Sequence, residues 1–281
     1  MTIDHPLIPN TGDNGVKESI PIKIVEWEND KFLNIATNIL VEEPLSIRIE
    51  GNPYSVIMRT PGEETFHAAG LCLAEGIVDD PADIDNIGLC DEGDTNVVTV
   101  TLAPERRKKI PEILARKNYL SQTSCGICGK ELIKDLNQFI KPFIFREKID
   151  LEKAMVCFDK FPQYQTMRTR TKSSHAAALF NHTYDLISIS EDVGRHNALD
   201  KAIGKLFLEN RLKDVFFLVL SSRISYELVQ KAARAGIQFI ISYSLPTYLS
   251  IEVASHLGMT LACSNKKSGL FIFCGKENIK R

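Results

Sequence analysis

The first third of the chain shows the alternation of apolar and polar residues that is typical of strands. Within residues 21–60, the segments PIKIVEW, FLNIATNILVEE, PLSIRIEG and YSVIMRT are separated by turn residues, which predicts a run of β-strands. Residues 64–75 favour a helix that stops at Gly76, because glycine commonly ends helices. This part is completed by a predicted strand at 96–102 and by two helical stretches at 105–117 and 130–140.

The second half is more regular, with near-continuous apolar runs between helical stretches. Gly236 and Gly258 stand where helices end, and Pro246 stands where a helix begins. Apolar strands that alternate with helices are typical of a sheet covered on both faces, and AAALFNHTYDLISI predicts a hairpin at its edge. The predicted strands are 186–190, 215–222, 239–244 and 259–263, and the predicted helices are 197–209, 225–235 and 247–257.

These elements together predict an α/β fold with two parts. The larger part is a three-layer domain with a mixed, mostly parallel sheet, and the smaller part is a β-rich N-terminal domain. The predicted divisions are a flexible tail at 1–20, an N-terminal α+β domain at 21–122, a loop and connecting helix at 123–150, and the α/β domain at 151–281.

Composition adds little until the charge is divided along the chain. The chain of 281 residues is 44% hydrophobic and 25% charged, which excludes a mainly disordered or fibrous protein. The net charge of −2 hides a split, since residues 1–100 hold 19 acidic and 5 basic side chains and the rest hold 17 and 29. Either the two parts pack against each other, or the basic part meets an anionic ligand.

The expected location is the cytoplasm. No apolar run is long enough to span a bilayer, and the N-terminus has no basic region followed by an apolar core. The seven cysteines are an odd number, which favours free thiols in a reducing compartment. The basic residues are spread over several elements and do not form a stripe with aromatic residues, so neither nucleic acid nor membrane is indicated as a partner.

Polar and basic residues follow each apolar strand of the second half. Ligands of open α/β sheets bind beyond the carboxyl ends of the strands, so these loops are expected to lie along one edge. Helix N-termini with Arg and Lys side chains suit a phosphate group, although each residue taken singly also fits a helix cap or a solvated surface. The loops are 191–197, 221–225, 244–247 and 264–269, and their basic residues are Arg195, His196, Arg223, Lys266 and Lys267.

Cys125 and Cys128 form the only C-x-x-C pair of the chain. The glycines around them permit a tight or mobile turn, and the helix predicted after them, with Lys130, would favour a thiolate. Three chemistries are open: a zinc site, a thioredoxin-like dithiol, and a thiolate that carries sulfur as a persulfide. A zinc site would need a second pair of ligands at suitable spacing, which the sequence does not contain. A thioredoxin-like pair should follow a strand, whereas this pair follows a linker. The H-x-E motif of zinc deaminases is also missing, since His175 is followed by two alanines.

At several long motifs the sequence closely resembles the FdhD family of formate dehydrogenase accessory sulfurtransferases. The resemblance extends from about residue 40 to residue 265, and two of its motifs are long and specific. The matching stretches are EEPLSIRIEG (42–51), MRTPGEETFHAAGLCLAEGIV (58–78), SCGICGK (124–130), HAAAL (175–179), EDVGRHNALDKAIG (191–204), RISYELVQKAARAGI (223–237) and SLPTYLSIEVASHLGMTL (244–261).

The resemblance implies a cytidine-deaminase-like α/β domain without zinc. It implies that a cysteine desulfurase donates sulfur, that Cys125 carries it as a persulfide with Cys128 as its partner, and that a homodimer acts on a formate dehydrogenase or related molybdoenzyme. The acceptor is the molybdenum (or tungsten) bis-molybdopterin guanine dinucleotide cofactor, which a guanine nucleotide can mimic. The expected cofactor-binding residues are Ser264, Asn265, Lys266, Lys267, Ser268, Gly269, His175, Arg195, His196 and Arg223.

The sequence departs from the family pattern at three places. Serines replace a typical Gly-Gly pair before His175, Ser222 replaces a glycine, and SNKKSGLFIF replaces an Arg-rich aromatic stretch. Fewer glycines restrict how closely the backbone can approach a ligand. The alternatives are a chaperone that binds the cofactor without transferring sulfur, and a dithiol redox switch.

Overall fold

A computed structural model of the chain describes residues 17–90, 96–111, 140–143, 147–265 and 269–280. Its strands form three sheets, and helices cover both faces of the largest sheet. The strands are β1 (Ser19–Glu28), β2 (Lys31–Leu40), β3 (Glu43–Ile49), β4 (Asn52–Arg59), β5 (Ile84–Leu89), β6 (Val97–Leu102), β7 (His175–Asn181), β8 (Leu186–Asp192), β9 (Val215–Leu220), β10 (Phe239–Ser242), β11 (Thr260–Ser264) and β12 (Leu270–Cys274). The helices are α1 (Glu64–Ala74), α2 (Pro104–Arg107), α3 (Leu151–Tyr164), α4 (Thr166–Thr171), α5 (Arg195–Leu208), α6 (Tyr226–Arg234) and α7 (Tyr248–His256).

The strands predicted before residue 60 form a hairpin and half of a four-stranded sheet. β1 pairs with β2 through a turn at Asn29 and Asp30, both with positive φ, which matches the twist of a two-residue hairpin turn. β1 begins at Ser19, so strand structure starts inside the tail predicted at 1–20. The other sheet has the order β4-β3-β6-β5. Of the helix predicted at 105–117, the described residues show the short helix α2 and, after a turn, helical residues at 110 and 111.

The largest sheet has the order β12-β11-β10-β9-β7-β8. A mixed sheet was predicted and is confirmed, but its parallel share is smaller than expected. Only β9-β10 and β10-β11 are parallel, whereas the other three neighbouring pairs are antiparallel. Two of these three pairs, β7-β8 and β11-β12, are antiparallel because a short connection joins their strands.

Two hydrophobic cores cover the two faces of this sheet. One face packs against α3 through Phe158, Phe161 and neighbouring residues. The other face packs against α5, α6 and α7, and the same cluster continues into α1 and into the inner face of the four-stranded sheet. The three-layer arrangement is therefore confirmed. The largest core also joins the two predicted domains, whose exact boundaries stay a prediction.

Close contact between α1 and α5 holds these two parts together. A Cβ atom at Gly204 would lie 1.9 Å from the Phe66 carbonyl oxygen, and one at Gly70 would lie 2.0 Å from that of Asp200. Only hydrogen at both positions lets the two backbones touch. No helix in the described part of the chain is long and apolar enough to cross a membrane.

Candidate functional site

The carboxyl ends of four strands share one edge of the large sheet. β9, β10 and β11 are mutually parallel, and β8 runs in the same direction because both β8 and β9 are antiparallel to β7. The loops after β8, β9, β10 and β11 therefore lie along the same edge, as the sequence predicted. The first residue of β7 and the first residue of β12 also reach this edge, because those strands run the opposite way.

His175 and Arg195 are brought together at this edge. His175 begins β7 and pairs in register with Asp192, the last residue of β8, and Arg195 begins α5 three residues later. Both side chains are partly buried, yet the Nδ1 atom of His175 and the Nε atom of Arg195 are buried without a hydrogen-bond partner. A buried donor without a partner costs about 1–3 kcal/mol. The charge of Arg195 acts on His175, so the two residues are near each other, and N–H groups at these positions could donate to the oxygen atoms of a ligand.

The electrostatic potential at His175 is positive. Burial lowers its pKa first, and the nearby charges of Arg168, Arg195 and His196 lower it further, against the opposing effect of Asp192. The imidazole is therefore neutral at physiological pH. The cationic groups around this ring would attract an anion.

The other predicted site residues differ in whether protein groups already occupy their side chains. Nε2 of His196 lies 2.8 Å from Glu227 Oε2 and 3.3 Å from Ser225 Oγ, so this ring is already held by protein groups. Arg223 is exposed in the loop after β9. Asn265 closes the loop after β11, since its backbone N–H donates to the Gly269 carbonyl at 3.0 Å and its side chain accepts from Gly269 N–H at 3.2 Å. Ser264 ends β11 at the same edge, whereas Lys266, Lys267 and Ser268 lie outside the described residues.

A buried ion pair fixes the turn that presents Arg195. Asp192 Oδ2 accepts from Lys201 Nζ at 2.7 Å and from the backbone N–H of Thr60 at 3.1 Å, and its Oδ1 accepts from Gly194 N–H at 2.8 Å. Both charged side chains are at most 2% exposed. Lys201 also donates to the Thr60 carbonyl at 2.8 Å, so this anchor ties the β8–α5 turn to the N-terminal part.

A cavity of about 300 Å³ opens beside this edge, and the sequence did not predict its walls. Ser221 and Tyr243 follow β9 and β10, whereas the remaining walls come from α3, α4 and the residues after them. Gln165, at the break between α3 and α4, is 5% exposed and its Oε1 atom has no hydrogen-bond partner. The only signal in the sequence was the basic run at 168–172, which follows no strand. The remaining lining residues are Pro162, Arg168, Thr169 and Lys172.

Glu191 positions Arg168 at the cavity. Its two carboxylate oxygens accept from the backbone N–H groups of Met167 and Arg168 at 2.7 and 2.8 Å, in the first turn of α4. Ser174 also donates to Glu191 at 2.7 Å, and its carbonyl accepts from the Arg168 guanidinium at 2.8 Å. The hydroxyl of Ser174, at one of the positions where the sequence departs from the family pattern, is thus used to build the edge.

The described cysteines contrast with the C-x-x-C pair, which lies outside the described residues. Cys72, Cys157 and Cys263 are buried and Cys274 is partly buried, but Cys90 is exposed because it follows the edge strand β5. Burial raises the thiol pKa of Cys157, Cys263 and Cys274, which keeps them protonated. No group of metal-binding side chains is found among the described residues, and the expected absence of zinc stays a prediction.

Comparison with known proteins decides the family. The sequence model described as the FdhD/NarQ family matches residues 40–280. The chain belongs to the FdhD/NarQ family. A sulfur carrier protein FdhD of Streptomyces coelicolor is 34% identical over 267 residues, with 92% of this chain and 94% of the relative covered. Another of Picrophilus torridus is 37% identical over 254 residues, with 87% and 93% covered.

The fold of the family member described here also has a solved counterpart. A crystal structure of a protein from Desulfotalea psychrophila, assigned as a formate dehydrogenase accessory protein, superposes with a TM-score of 0.75 at 22% identity. The superposition covers 94% of this chain and all of the other. The mixed α/β architecture of this chain is thus shared with that protein.

Proposed function

We propose that the protein is a sulfur carrier of the cytoplasm that serves the maturation of a formate dehydrogenase or related molybdoenzyme. Membership of a family whose similar relatives are named sulfur carrier proteins is the observation that carries this proposal. In the proposed reaction, a cysteine desulfurase donates sulfur to Cys125, Cys128 assists, and the acceptor is the bis-molybdopterin guanine dinucleotide cofactor as bound substrate. The protein acts as a homodimer in this proposal.

The sulfur step needs a thiolate and no external oxidant. The Cys125 thiolate attacks the terminal sulfur of the donor's persulfide, the donor's S–S bond breaks, and the donor cysteine leaves as a thiolate. A new persulfide forms on Cys125, so one S–S bond replaces another. The raised pKa values of the buried thiols support this choice of carrier, because those cysteines are protonated and shielded.

Persulfide loading tests the carrier. After incubation with a cysteine desulfurase and ³⁵S-cysteine, we expect Cys125→Ala to lose nearly all protein-bound label that a reductant can release. The matched control is Cys90→Ala, which removes an exposed thiol outside the motif and should keep full labelling. Equal labelling of Cys125→Ala would exclude the carrier role. A Cys125→Ala protein that still matures an active client would favour the cofactor chaperone, and a reversible Cys125–Cys128 disulfide without labelling would favour the redox switch.

The edge of the large sheet supports the cofactor part of the proposal. The unpartnered atoms of His175 and Arg195, the positive surroundings and the neighbouring cavity suit a phosphate-bearing group of nucleotide size. The unpartnered Oε1 atom of Gln165 is an acceptor, which matches the N–H donors of a guanine edge. These residues would hold the nucleotide portion, whereas His196 would act through its contact with Glu227.

Titration with GDP tests this edge without the labile cofactor. We expect Arg195→Gln to raise the Kd of GDP about tenfold or more, because a hydrogen bond to a charged group contributes about 1.5–3 kcal/mol. Arg211→Gln is the matched control, since Arg211 lies before β9, at the opposite end of that strand. If Arg195→Gln bound GDP as tightly as the parent, the nucleotide would have to bind elsewhere.

A further inference from the structure

β8 forms one edge of the large sheet, and no described strand pairs with its outer side. It stands last in the strand order, next to β7. The backbone of Ala176 in β7 points towards β9, because its carbonyl accepts from the Ser221 N–H at 3.0 Å. The residue opposite Ala176 in β8 is Glu191, so the backbone groups of Glu191, and of Ile189 two residues earlier, point outward.

This outer edge lacks the features with which proteins usually protect an edge strand. Unpaired sheet edges are templates for another strand, and charged side chains, proline or a covering element normally block them. The first five residues of β8 are LISIS, without a charge or a proline. Among the described residues, none forms a hydrogen bond with the backbone of Ile189 from the outer side. The edge can therefore accept an additional strand.

A groove runs along this edge, between β8 and α3. The backbone N–H of Asp150, at the start of α3, donates to the Tyr184 hydroxyl at 2.9 Å, next to the start of β8. Beyond the end of α3, the Arg168 N–H donates to Glu191 near the end of β8 at 2.8 Å, so helix and strand run side by side in the same direction. The groove is a cavity of about 370 Å³, and its walls include Lys153, Val156, Lys160, Tyr164 and Leu186.

The α3 wall of the groove is both apolar and basic. Val156 is 53% exposed and Tyr164 is 37% exposed, so the helix presents apolar surface to solvent here. Lys153 and Lys160 are exposed, and neither forms an ion pair within the described part of the chain. Asp185 is the one acidic residue that lines the groove, which leaves a net positive charge.

We propose that this groove binds an extended segment of a partner protein, which pairs with β8 as an added strand and presents acidic side chains to α3. Such a segment satisfies the unpaired backbone groups of β8, covers the apolar wall and neutralises the two lysines. The turn between β7 and β8 lies at the end of these strands away from His175. A segment bound beside Leu186 therefore leaves the predicted ligand edge uncovered, and the site is separate from the proposed sulfur and nucleotide chemistry.

The spacing on α3 defines the sequence pattern of the bound segment. Lys153 and Lys160 lie about 10 Å apart along the helix axis, with Val156 between them. Side chains on one face of a strand recur at every second residue, so acidic residues four positions apart lie about 13 Å from each other. Long lysine side chains span the difference. The expected pattern is an acidic residue, an apolar residue two positions later and a second acidic residue two positions after that.

The charge of the groove disfavours a second copy of this chain as its occupant. If two β8 edges paired around a two-fold axis, the two α3 helices would lie on the same face of a continuous sheet. Lys153 and Lys160 of each copy would then face the same residues of the other, and like charges across an interface are unfavourable. An acidic segment has the complementary charge.

A synthetic peptide tests the groove. The probe is a fluorescein-labelled peptide Ser-Glu-Thr-Val-Thr-Glu-Thr, in which the two glutamates and the valine share one face, and Ser-Lys-Thr-Val-Thr-Lys-Thr is the control peptide. Fluorescence anisotropy with the full chain should show saturable binding of the glutamate peptide and at least tenfold weaker binding of the lysine peptide. No saturation with a Kd below about 1 mM, or equal binding of both peptides, would overturn the proposal.

Charge reversal on α3 tests the assigned wall. Lys153→Glu with Lys160→Glu should weaken binding of the glutamate peptide at least tenfold and should strengthen binding of the lysine peptide. The matched control is Lys109→Glu with Lys276→Glu, at two exposed lysines that do not line the groove. Circular dichroism shows whether both double variants remain folded. A folded Lys153→Glu, Lys160→Glu protein with the peptide preference of the parent would contradict the assignment.

Strand pairing has its own readout at the backbone. On addition of the glutamate peptide, NMR should show that hydrogen exchange of the Ile189 amide slows severalfold. A strand pairs with its neighbour through alternate residues, so N-methylation of the peptide's valine and of the threonine after it should have opposite effects. One of the two should abolish binding and the other should leave it. Unchanged exchange at Ile189, or equal effects of the two methyl groups, would rule out pairing with β8.

The same assay identifies an occupant from this chain. A peptide that binds only after removal of residues 1–16, or that separates two chains in light scattering as it binds, would show that the chain fills its own groove. Either result would overturn the assignment to a partner protein. None of these measurements uses sulfur or a cofactor, so their failure would leave the proposed function standing.

Discussion

His67 is the most unusual titratable side chain of the core. It lies on α1, is fully buried, and neither of its ring nitrogens has a hydrogen-bond partner. Burial lowers its pKa well below the ordinary value, and the positive charges of Lys201, Lys231 and Arg59 lower it further. The ring is therefore neutral in the folded protein, whereas in the unfolded chain it titrates near pH 6.5.

This difference predicts how stability depends on pH. Below about pH 6.5 His67 binds a proton in the unfolded chain but not in the folded protein. The free energy of unfolding therefore has its full value above that pH and decreases as the pH falls below it. Between pH 7.5 and 5.5 we expect this residue to account for a loss of about 1.4 kcal/mol.

Urea unfolding of the parent and of His67→Gln at the two pH values measures that loss. The variant should lack this part of the pH dependence, and His182→Gln, at a half-exposed histidine, is the matched control. The burial of His175 also lowers its pKa and acts in the same direction in all three proteins, so only the difference between parent and variant is assigned to His67. An equal pH slope in the parent and in His67→Gln would refute the assignment.

At the scale of elements, the crossing of α1 and α5 depends on two glycines. Alanine favours helices over glycine by about 1 kcal/mol, so propensity alone would make either substitution stabilising. The added methyl group would, however, lie about 2 Å from a backbone carbonyl oxygen of the other helix. Since backbone cannot move aside as a side chain can, the steric overlap outweighs the gain in helix propensity.

We expect Gly204→Ala to destabilise the protein by about 3 kcal/mol, the upper end of the usual cost of overpacking, because the two helices would have to separate. Gly88→Ala is the control, since a Cβ atom there meets nothing within 4 Å and φ is not positive. Denaturant unfolding of both variants measures the difference. A Gly204→Ala protein with the stability of Gly88→Ala would show that the helices can separate at little cost.

At the scale of the whole molecule, the N-terminal and α/β parts share one core. The largest hydrophobic cluster includes residues of β3, β6 and α1 together with residues of α5 and of the large sheet. Polar contacts also join them, since Arg234 Nη2 lies 2.7 Å from Asp79 Oδ1 and Lys201 donates to the Thr60 carbonyl. Some of the charges that are divided along the chain therefore join the two parts, while Arg168 and Arg195 make one edge of the large sheet positive.

A shared core predicts a single cooperative unfolding transition. Calorimetry should give one peak with equal calorimetric and van't Hoff enthalpies, and a fragment of residues 147–281 should fail to fold because it exposes the face of α5 that α1 covers. Two resolved transitions, or a fragment with native-like circular dichroism, would show that the parts are independent domains.

Local patterns predicted most of the secondary structure. The strands before residue 60, the helices that end before Gly76, Gly236 and Gly258, and the shared edge of the four loops are confirmed. β5 was missed because its sequence, IDNIGL, has little strand character beyond two isoleucines. Asp200 stands next to Lys201 in the chain, but its carboxylate pairs with Lys231 on α6, at 2.7 Å. Which lysine reaches a carboxylate depends on helix packing, and the sequence does not contain that information locally.

The order of elements, the edge where anionic ligands are expected and the family can all be read from the amino-acid sequence. Periodicity, caps and long motifs are local properties of the sequence, so they can be recognised without knowing which residues are in contact. The packing of distant segments, in contrast, places Gln165 and Arg168 beside the same edge as His175, and it leaves Trp27 and Phe32 exposed on one face of a hairpin. Those features depend on which surfaces of distant segments pack together, and on which surfaces the fold leaves uncovered.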